Sequence, residues 1–403
     1  MLPLAVVLAA APAGAQADIG TLARHVASAQ RLLGDFGGAR SRTERFGIAV
    51  ELFSTQTSSW KLRGGAEKED DFGHSASYDL FTLIDFEALA GWRGLSLLFH
   101  AKGQYARDGN AKVGALSDPV DDADFDEAIY VGQLWLEQRL WKDRLRLRVG
   151  YLDQQVLFDR NAYANSEDRQ FLATFLDNNP VVPLAIGLGS ALILSPFEGV
   201  ELALGAGDAD NVPRRTGFDT AFDGLRSVTG YLELTLRTRL SALALPGTYR
   251  LGSFVDGSSR ERFGTGRSDR GHWGAYLSFD QLAYREGAKG EEGLGLFARF
   301  GYADPDVNRI EWFWSVGFQY LGLLPRRGED ALGMGMYQTI GSRHYRDAVD
   351  PRFRKETGIE LYYRISPYPW LALTPDLQYI VDPGATGEAD DAFQGALRFR
   401  VAF

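Results

Sequence analysis

Arginine occupies every second position at Arg144, Arg146 and Arg148, and just upstream Gln133, Trp135, Glu137 and Arg139 share one alternation. Side chains two apart on an extended strand point the same way, so each run presents a single polar face. The same phase collects Asp85 and Glu87, then His100, Lys102 and Gln104. Guanidinium and carboxylate groups set side by side make paired, charge-assisted hydrogen bonds to a hydroxyl-rich solute, and an aromatic ring adds a flat apolar surface. Two readings stand for Trp135: a platform for such a solute, or a ring filling space against an inward loop. The arginines likewise either contact solute or form a solvated wall that balances the acids.

Bond-making chemistry finds little support. His25, His74, His100, His272 and His344 are scattered, with no serine elbow and no paired-histidine metal motif beside them. With no cysteine in the chain, thiolate metal sites and cysteine nucleophiles are excluded. Asp122, Asp124 and Asp126 alternate as in a calcium loop, but Glu127 stands where the glycine belongs and Gln133 where the closing glutamate belongs, so the segment reads as a solvated acidic loop. Gly264–Gly271 mimics a phosphate cradle without the strand and helix that such a site needs. No catalytic residue, metal or cofactor is expected.

The elements that position these faces follow from composition and period. The 403 residues include 46 glycines and 12% aromatics, a mixture favouring many strands with tight turns over helices. A net charge of −10 argues against nucleic acid as a partner, because sequence-independent binding to phosphates needs a positive surface. Residues 1–17 have the apolar stretch and small-residue end of a secretory signal, and the spacing of Ile19, Leu22, Val26 and Leu32 predicts a short amphipathic helix within a segment 18–45 that ends in a Gly-Gly junction. From 46 to 403 alternation predicts sixteen strands, in which polar faces such as Glu233, Thr235 and Arg237 oppose apolar faces such as Leu232, Leu234 and Leu236.

Alternation alone suits a soluble sandwich equally well. Three further features favour a transmembrane antiparallel up-and-down β-barrel: an even count of strands near ten residues long, aromatics near strand ends (Trp92, Tyr105, Tyr151, Tyr363, Trp370, Tyr379 and Phe403), and short links that mostly alternate with long polar ones around 55–78, 106–128, 152–183, 208–228, 256–270 and 341–354. A barrel this wide keeps a wet lumen that side chains alone do not fill. The longest connection, 152–183, is too apolar to project into water. Ser166, Glu167 and Asp168 precede Phe171, Leu172, Phe175 and Leu176 as a capped helical turn would. The segment is expected to fold inward and bring Asp153, Arg160, Asn161, Asp177 and Asn178 to a constriction; the alternative is contact with a neighbouring subunit.

Against this background "LLGDFGGARSRTERFGI" (32–48) resembles the Gly-Asp-aromatic-Gly-Gly-x-Arg opening segment of the carbohydrate-selective outer-membrane porins of the OprB type, and 356–384 with 390–403 is similar to that family's closing strands. The resemblance implies a sixteen-stranded barrel in the outer membrane of a Gram-negative bacterium, surrounded by lipid and lipopolysaccharide and passing small carbohydrate solutes passively. In some members it implies a homotrimer. The rivals are a general diffusion porin of the same shape and, further off, a barrel enzyme.

Overall fold

The computed structural model describes residues 31–67, 71–107, 112–121, 128–209, 227–240, 244–287 and 292–403. The signal segment at 1–17 and most of the helix expected after it lie outside those residues, as do Asp122–Glu127 and most of the 208–228 connection.

Sixteen strands close into one antiparallel barrel, each paired with its sequence neighbours, and β1 (Ile48–Gly65) meets β16 (Asp390–Ala402) at the seam. The side-chain pattern is the reverse of a soluble sandwich. On β16, Gln394 and Arg398 are each about 1% exposed, whereas Leu397 and Phe399 are 37% and 41% exposed. The apolar faces turn outward, as a wall meeting lipid requires, and the polar faces turn toward the lumen and whatever fills it. Exposed and half-buried aromatics gather at both rims: Trp60 with Phe72 and Tyr302 with Trp312 at the long-loop end, Phe86 with Trp92 and Tyr368 with Trp370 at the other. Tyr151 departs from the expected girdle, being fully covered.

Strand phase follows the sequence, but two hairpins are longer than expected. β1 and β2 (Asp71–Asp85) absorb most of the 55–78 connection, and β9 (Leu245–Arg262) with β10 (Arg267–Arg285) absorb most of 256–270. Their outer parts are rich in serine, threonine, glycine and arginine, which imitate loop composition although the ladder continues. The opening segment also differs in detail. Gly37 and Gly38, both with positive φ, lead into a helix at Ala39–Arg45, and the turn into β1 lies at Phe46–Gly47. Asp35 accepts from the Ser41 backbone N–H and hydroxyl, and Arg40 donates to the carbonyls of Gly34 and Phe403. Arg31 pairs with the inward carboxylate of Glu51, and the Leu32 N–H reaches the Ala402 carbonyl. The segment is thereby fastened to the barrel seam.

Between β5 (Leu145–Asp153) and β6 (Ile186–Phe197) the chain folds into the barrel, as its apolar content predicted. Phe158 stacks on Tyr231, Phe171 meets Phe297 and Tyr362, and Phe175 meets Phe313 and Tyr337, with ring centroids 5.0–6.0 Å apart. Each such pair contributes about 0.5–1.5 kcal/mol beyond its buried area. Ser166 caps no helix; its carbonyl closes a turn onto the N–H groups of Arg169 and Gln170, and the helical turn comes later, at Thr174–Asp177.

The rings of the wall need room, and glycines on neighbouring strands provide it. Tyr337 of β13 (Ala331–Gly341) lies over Gly358 of β14 (Thr357–Tyr368), and Tyr362 of β14 lies over Gly333 of β13. A Cβ at Gly358 would stand 2.2 Å from the Tyr337 ring. Gly358→Ala is therefore expected to displace that ring and destabilise the barrel by about 1–3 kcal/mol through overpacking, seen as a lower temperature for loss of the compact band in gel-mobility melts. An unchanged melt would show that the ring yields freely.

Candidate functional site: a charge-lined constriction

A loop can enter a barrel only if its backbone polar groups find partners there. Charged side chains of the wall supply them. Glu360 of β14 accepts from the N–H groups of Leu172 and Ala173 at 2.6 and 2.9 Å, and Glu233 of β8 (Val228–Leu240) accepts from Asp159 N–H at 2.8 Å. Arg398 donates to the carbonyls of Glu167 and Gln170, and Arg299 of β11 (Gly293–Ala303) to that of Leu176. A second inward segment, 112–121, is held in the same way: Glu356 accepts from Leu116 and Ser117 N–H, and the Asp121 N–H meets the Leu172 carbonyl.

What remains partly open to water is a mixed-charge group. The loop tip brings Glu167, Asp168 and Arg169, which are 23%, 32% and 27% exposed at the side chain. Facing it are Lys102 of β3 (Leu95–Arg107), 3.3 Å from Glu167, and Arg400 of β16, 2.6 Å from Asp168. Asp79 of β2 accepts from the His100 ring Nε2 across 2.8 Å, and the imidazole stacks on Phe81 at 4.0 Å between centroids. Deeper toward the short-turn rim, Glu201 of β7 (Val200–Asp208) gathers Arg146 at 2.9 Å, Arg237 at 3.3 Å and Arg160 at 3.8 Å. Burial pushes the Asp168 carboxyl up, but the Arg400 and Arg169 guanidiniums outweigh it and hold the group well below the usual carboxylate range. Burial raises Asp159 to about 7 against the opposing pull of Arg299, and raises Asp177 to about 8 with the neighbouring Asp121 adding to the shift.

The residues anticipated from sequence divide by height along the barrel. His100, Lys102 and Arg146 border the partly open group. Gln104 and Gln133 are inward but covered, accepting from Tyr130 and Trp135 respectively. Trp135 is 1% exposed, with the Arg148 guanidinium 3.8 Å above its ring and Glu137 2.8 Å from Arg148. The indole thus has no open face to serve as a platform, and it packs with Leu83, Leu98 and Leu152. Asp85 and Glu87 do not line the lumen: β2 ends at Asp85, which caps the helix Phe86–Ala90 containing Glu87. Arg144 lies in the short turn before β5, and Arg139 sits beside Asp143 at the same rim. On the loop, Asp153 caps the turn at Gln155, and Arg160 reaches Glu201. Asn161 and Asp177 differ from the constriction expected for them, because both are buried between loop and wall, while Asn178 turns to Asp121.

Sequence reasoning passed over Asp79, Asp168, Arg169, Arg398 and Arg400 as site residues. Asp79 shares the phase of Asp85 three pleat repeats away, and adjacent charges inside an otherwise apolar connection marked 167–169. Their meeting with β16 spans more than two hundred residues of chain and had no local signature.

A closed sixteen-strand barrel with an apolar outer surface, an inward loop and an ionised, partly open constriction defines a porin. The chain belongs to the carbohydrate-selective porin, OprB family, whose pattern matches residues 69–403. It is 23% identical over 419 residues to Porin B of Pseudomonas aeruginosa, covering 92% of this chain and 91% of that one. Its fold is similar to the high-pH structure of Pseudomonas putida OprB, with a TM-score of 0.82 at 20% identity over 93% of this chain and 99% of that one. The outer membrane channel DcaP of Acinetobacter baumannii is a more remote likeness in fold, with a TM-score of 0.51 at 9% identity over 88% and 97% of the two chains.

Two outcomes follow from the charge geometry. Glu137→Ala leaves the Arg148 guanidinium buried without its carboxylate, which costs about 3–5 kcal/mol; the expected result is a lower denaturant midpoint with unchanged ion preference in planar bilayers, and the reverse would place the pair in the conduction path. Asp159, whose folded pKa of about 7 exceeds the ordinary value, contributes stability that is complete below about pH 4 and lost as pH rises through about 7. Melts of the native protein between pH 4 and 8 are expected to fall over that window, and Asp159→Asn to flatten the fall.

Proposed function

We infer that this chain is a passive, carbohydrate-selective channel of the outer membrane of a Gram-negative bacterium, with lipopolysaccharide around its outer rim. Membership of the family supports the solute class and the membrane. The single structural observation behind the reading is the constriction, where ionised donors and acceptors lie within hydrogen-bonding reach of one another at the edge of water: Lys102 beside Glu167, and Arg400 beside Asp168. A neutral polyol exchanges water for charge-assisted hydrogen bonds on both kinds of group without a net Coulomb penalty. A single-sign ion meets one attractive and one repulsive partner within a few ångströms. Binding of this kind is spread over several weak contacts, which permits release on the far side. Among the described residues the large lumenal rings such as Trp135, Tyr337 and Tyr362 are covered by loop or arginine, which gives no support to a preference for long oligosaccharides.

Liposome swelling with purified protein tests the reading. Glucose is expected to enter faster than a zwitterionic amino acid of similar size and faster than a disaccharide. Equal rates for glucose and the amino acid would make this a general diffusion pore, and no swelling would mean that the barrel is closed.

A further inference from the structure

Three carboxylates converge where the two inward segments touch: Asp121 of the segment 112–121, Glu167 at the loop tip, and Asp177 at the end of the helical turn. One oxygen from each lies within 4.8 Å of the others. Asp177 is completely buried, and neither of its carboxylate oxygens has a hydrogen-bond partner. Among the described residues it is the one carboxylate with both oxygens buried and unanswered. Glu360, Glu356 and Glu233, packed against the same inward segments, each accept from loop N–H groups. A buried carboxylate without donors either holds a proton or coordinates a cation.

Neither of the arginines nearest Asp177 is hydrogen-bonded to it. Arg299 donates to the Leu176 carbonyl and faces Asp159, and Arg398 is taken up by the carbonyls of Glu167 and Gln170. Asp121 accepts from the Thr174 hydroxyl at 2.7 Å and from the Asn178 amide at 3.0 Å. Lys102 approaches Glu167 at 3.3 Å. An all-oxygen set selects a hard cation. Calcium binds oxygens at about 2.3–2.6 Å, so two of its ligands can stand up to about 5 Å apart, whereas magnesium at about 2.0–2.1 Å holds them closer and keeps its own waters.

We propose that Asp121, Glu167 and Asp177 form a calcium site that ties the loop tip, the short helix and the segment 112–121 into one unit at the edge of the constriction. The site is independent of which solute passes through the channel.

Intact protein, stripped with a chelator in detergent and free of lipopolysaccharide, would be titrated with calcium chloride by calorimetry, with magnesium chloride as comparator and gel-mobility melts as a second readout. Saturable binding of one calcium per chain below about 1 mM, with a raised melting temperature and a weaker response to magnesium, is the expected result. Asp177→Asn should weaken calcium binding at least tenfold. Glu167→Gln, at a partly exposed position whose loss does not threaten folding, should weaken it as well. No saturable binding by the native protein, or native affinity in the folded Glu167→Gln variant, would overturn the proposal; so would a calcium-independent melt in which Asp177→Asn is as stable as the native chain, since Asp177 would then simply hold a proton.

Discussion

The structure depends on wall charges that hydrogen-bond the backbone of chain segments inside the barrel. Glu233, Glu356 and Glu360 accept from loop N–H groups, and Arg299 and Arg398 donate to loop carbonyls. Without those partners, folding some thirty residues into the lumen would strand backbone groups away from water, at a cost that aromatic packing alone would have to offset. With them, the loop is held by directional bonds at its backbone and by non-directional packing at its side chains. The two kinds of contact fix different things: rings such as Phe171 and Phe175 provide adhesion, and the charged anchors set the position of 167–169 relative to β3 and β16.

This explains why the same strand carries residues of opposite character without conflict. On β14, Glu360 and Arg364 serve the loop backbone, Tyr362 between them serves its side chains, and Leu361 is left for the outer surface. A one-residue slip would send all of them to the wrong medium. Register is therefore specified from both sides of the sheet, by lipid on one and by the packed loop on the other.

Much of this was legible beforehand. Period-two alternation identified the strands and which side chains face inward, because a two-medium wall leaves a strong signal even where the polar face is mixed. The apolar content of 152–183 identified the inward loop. What escaped has physical causes. The outer halves of β1, β2, β9 and β10 are built from small polar residues and arginine, so their composition imitates a loop. Asp85, Glu87 and Arg144 have the inward phase but sit at the short-turn rim, and phase carries no information on height. Trp135 is inward as read, yet Arg148 and its leucine neighbours cover it, a tertiary fact that no single strand encodes. The pairing of Asp168 with Arg400 belongs to the closed barrel and exists only once the last strand is in place.

The lumen is filled unevenly. The rings from Tyr231 on β8 to Tyr362 on β14 are sealed against the loop, whereas the partly open charges belong mainly to β16, β2, β3, β5, β7 and the loop tip. The circumference set by sixteen strands is thus decoupled from the aperture offered to solutes. One half of the wall acts as foundation and the other as filter, so selectivity can be retuned by changes on the filter arc or the loop tip while the lipid-facing cylinder, and the strand number that defines it, stay as they are.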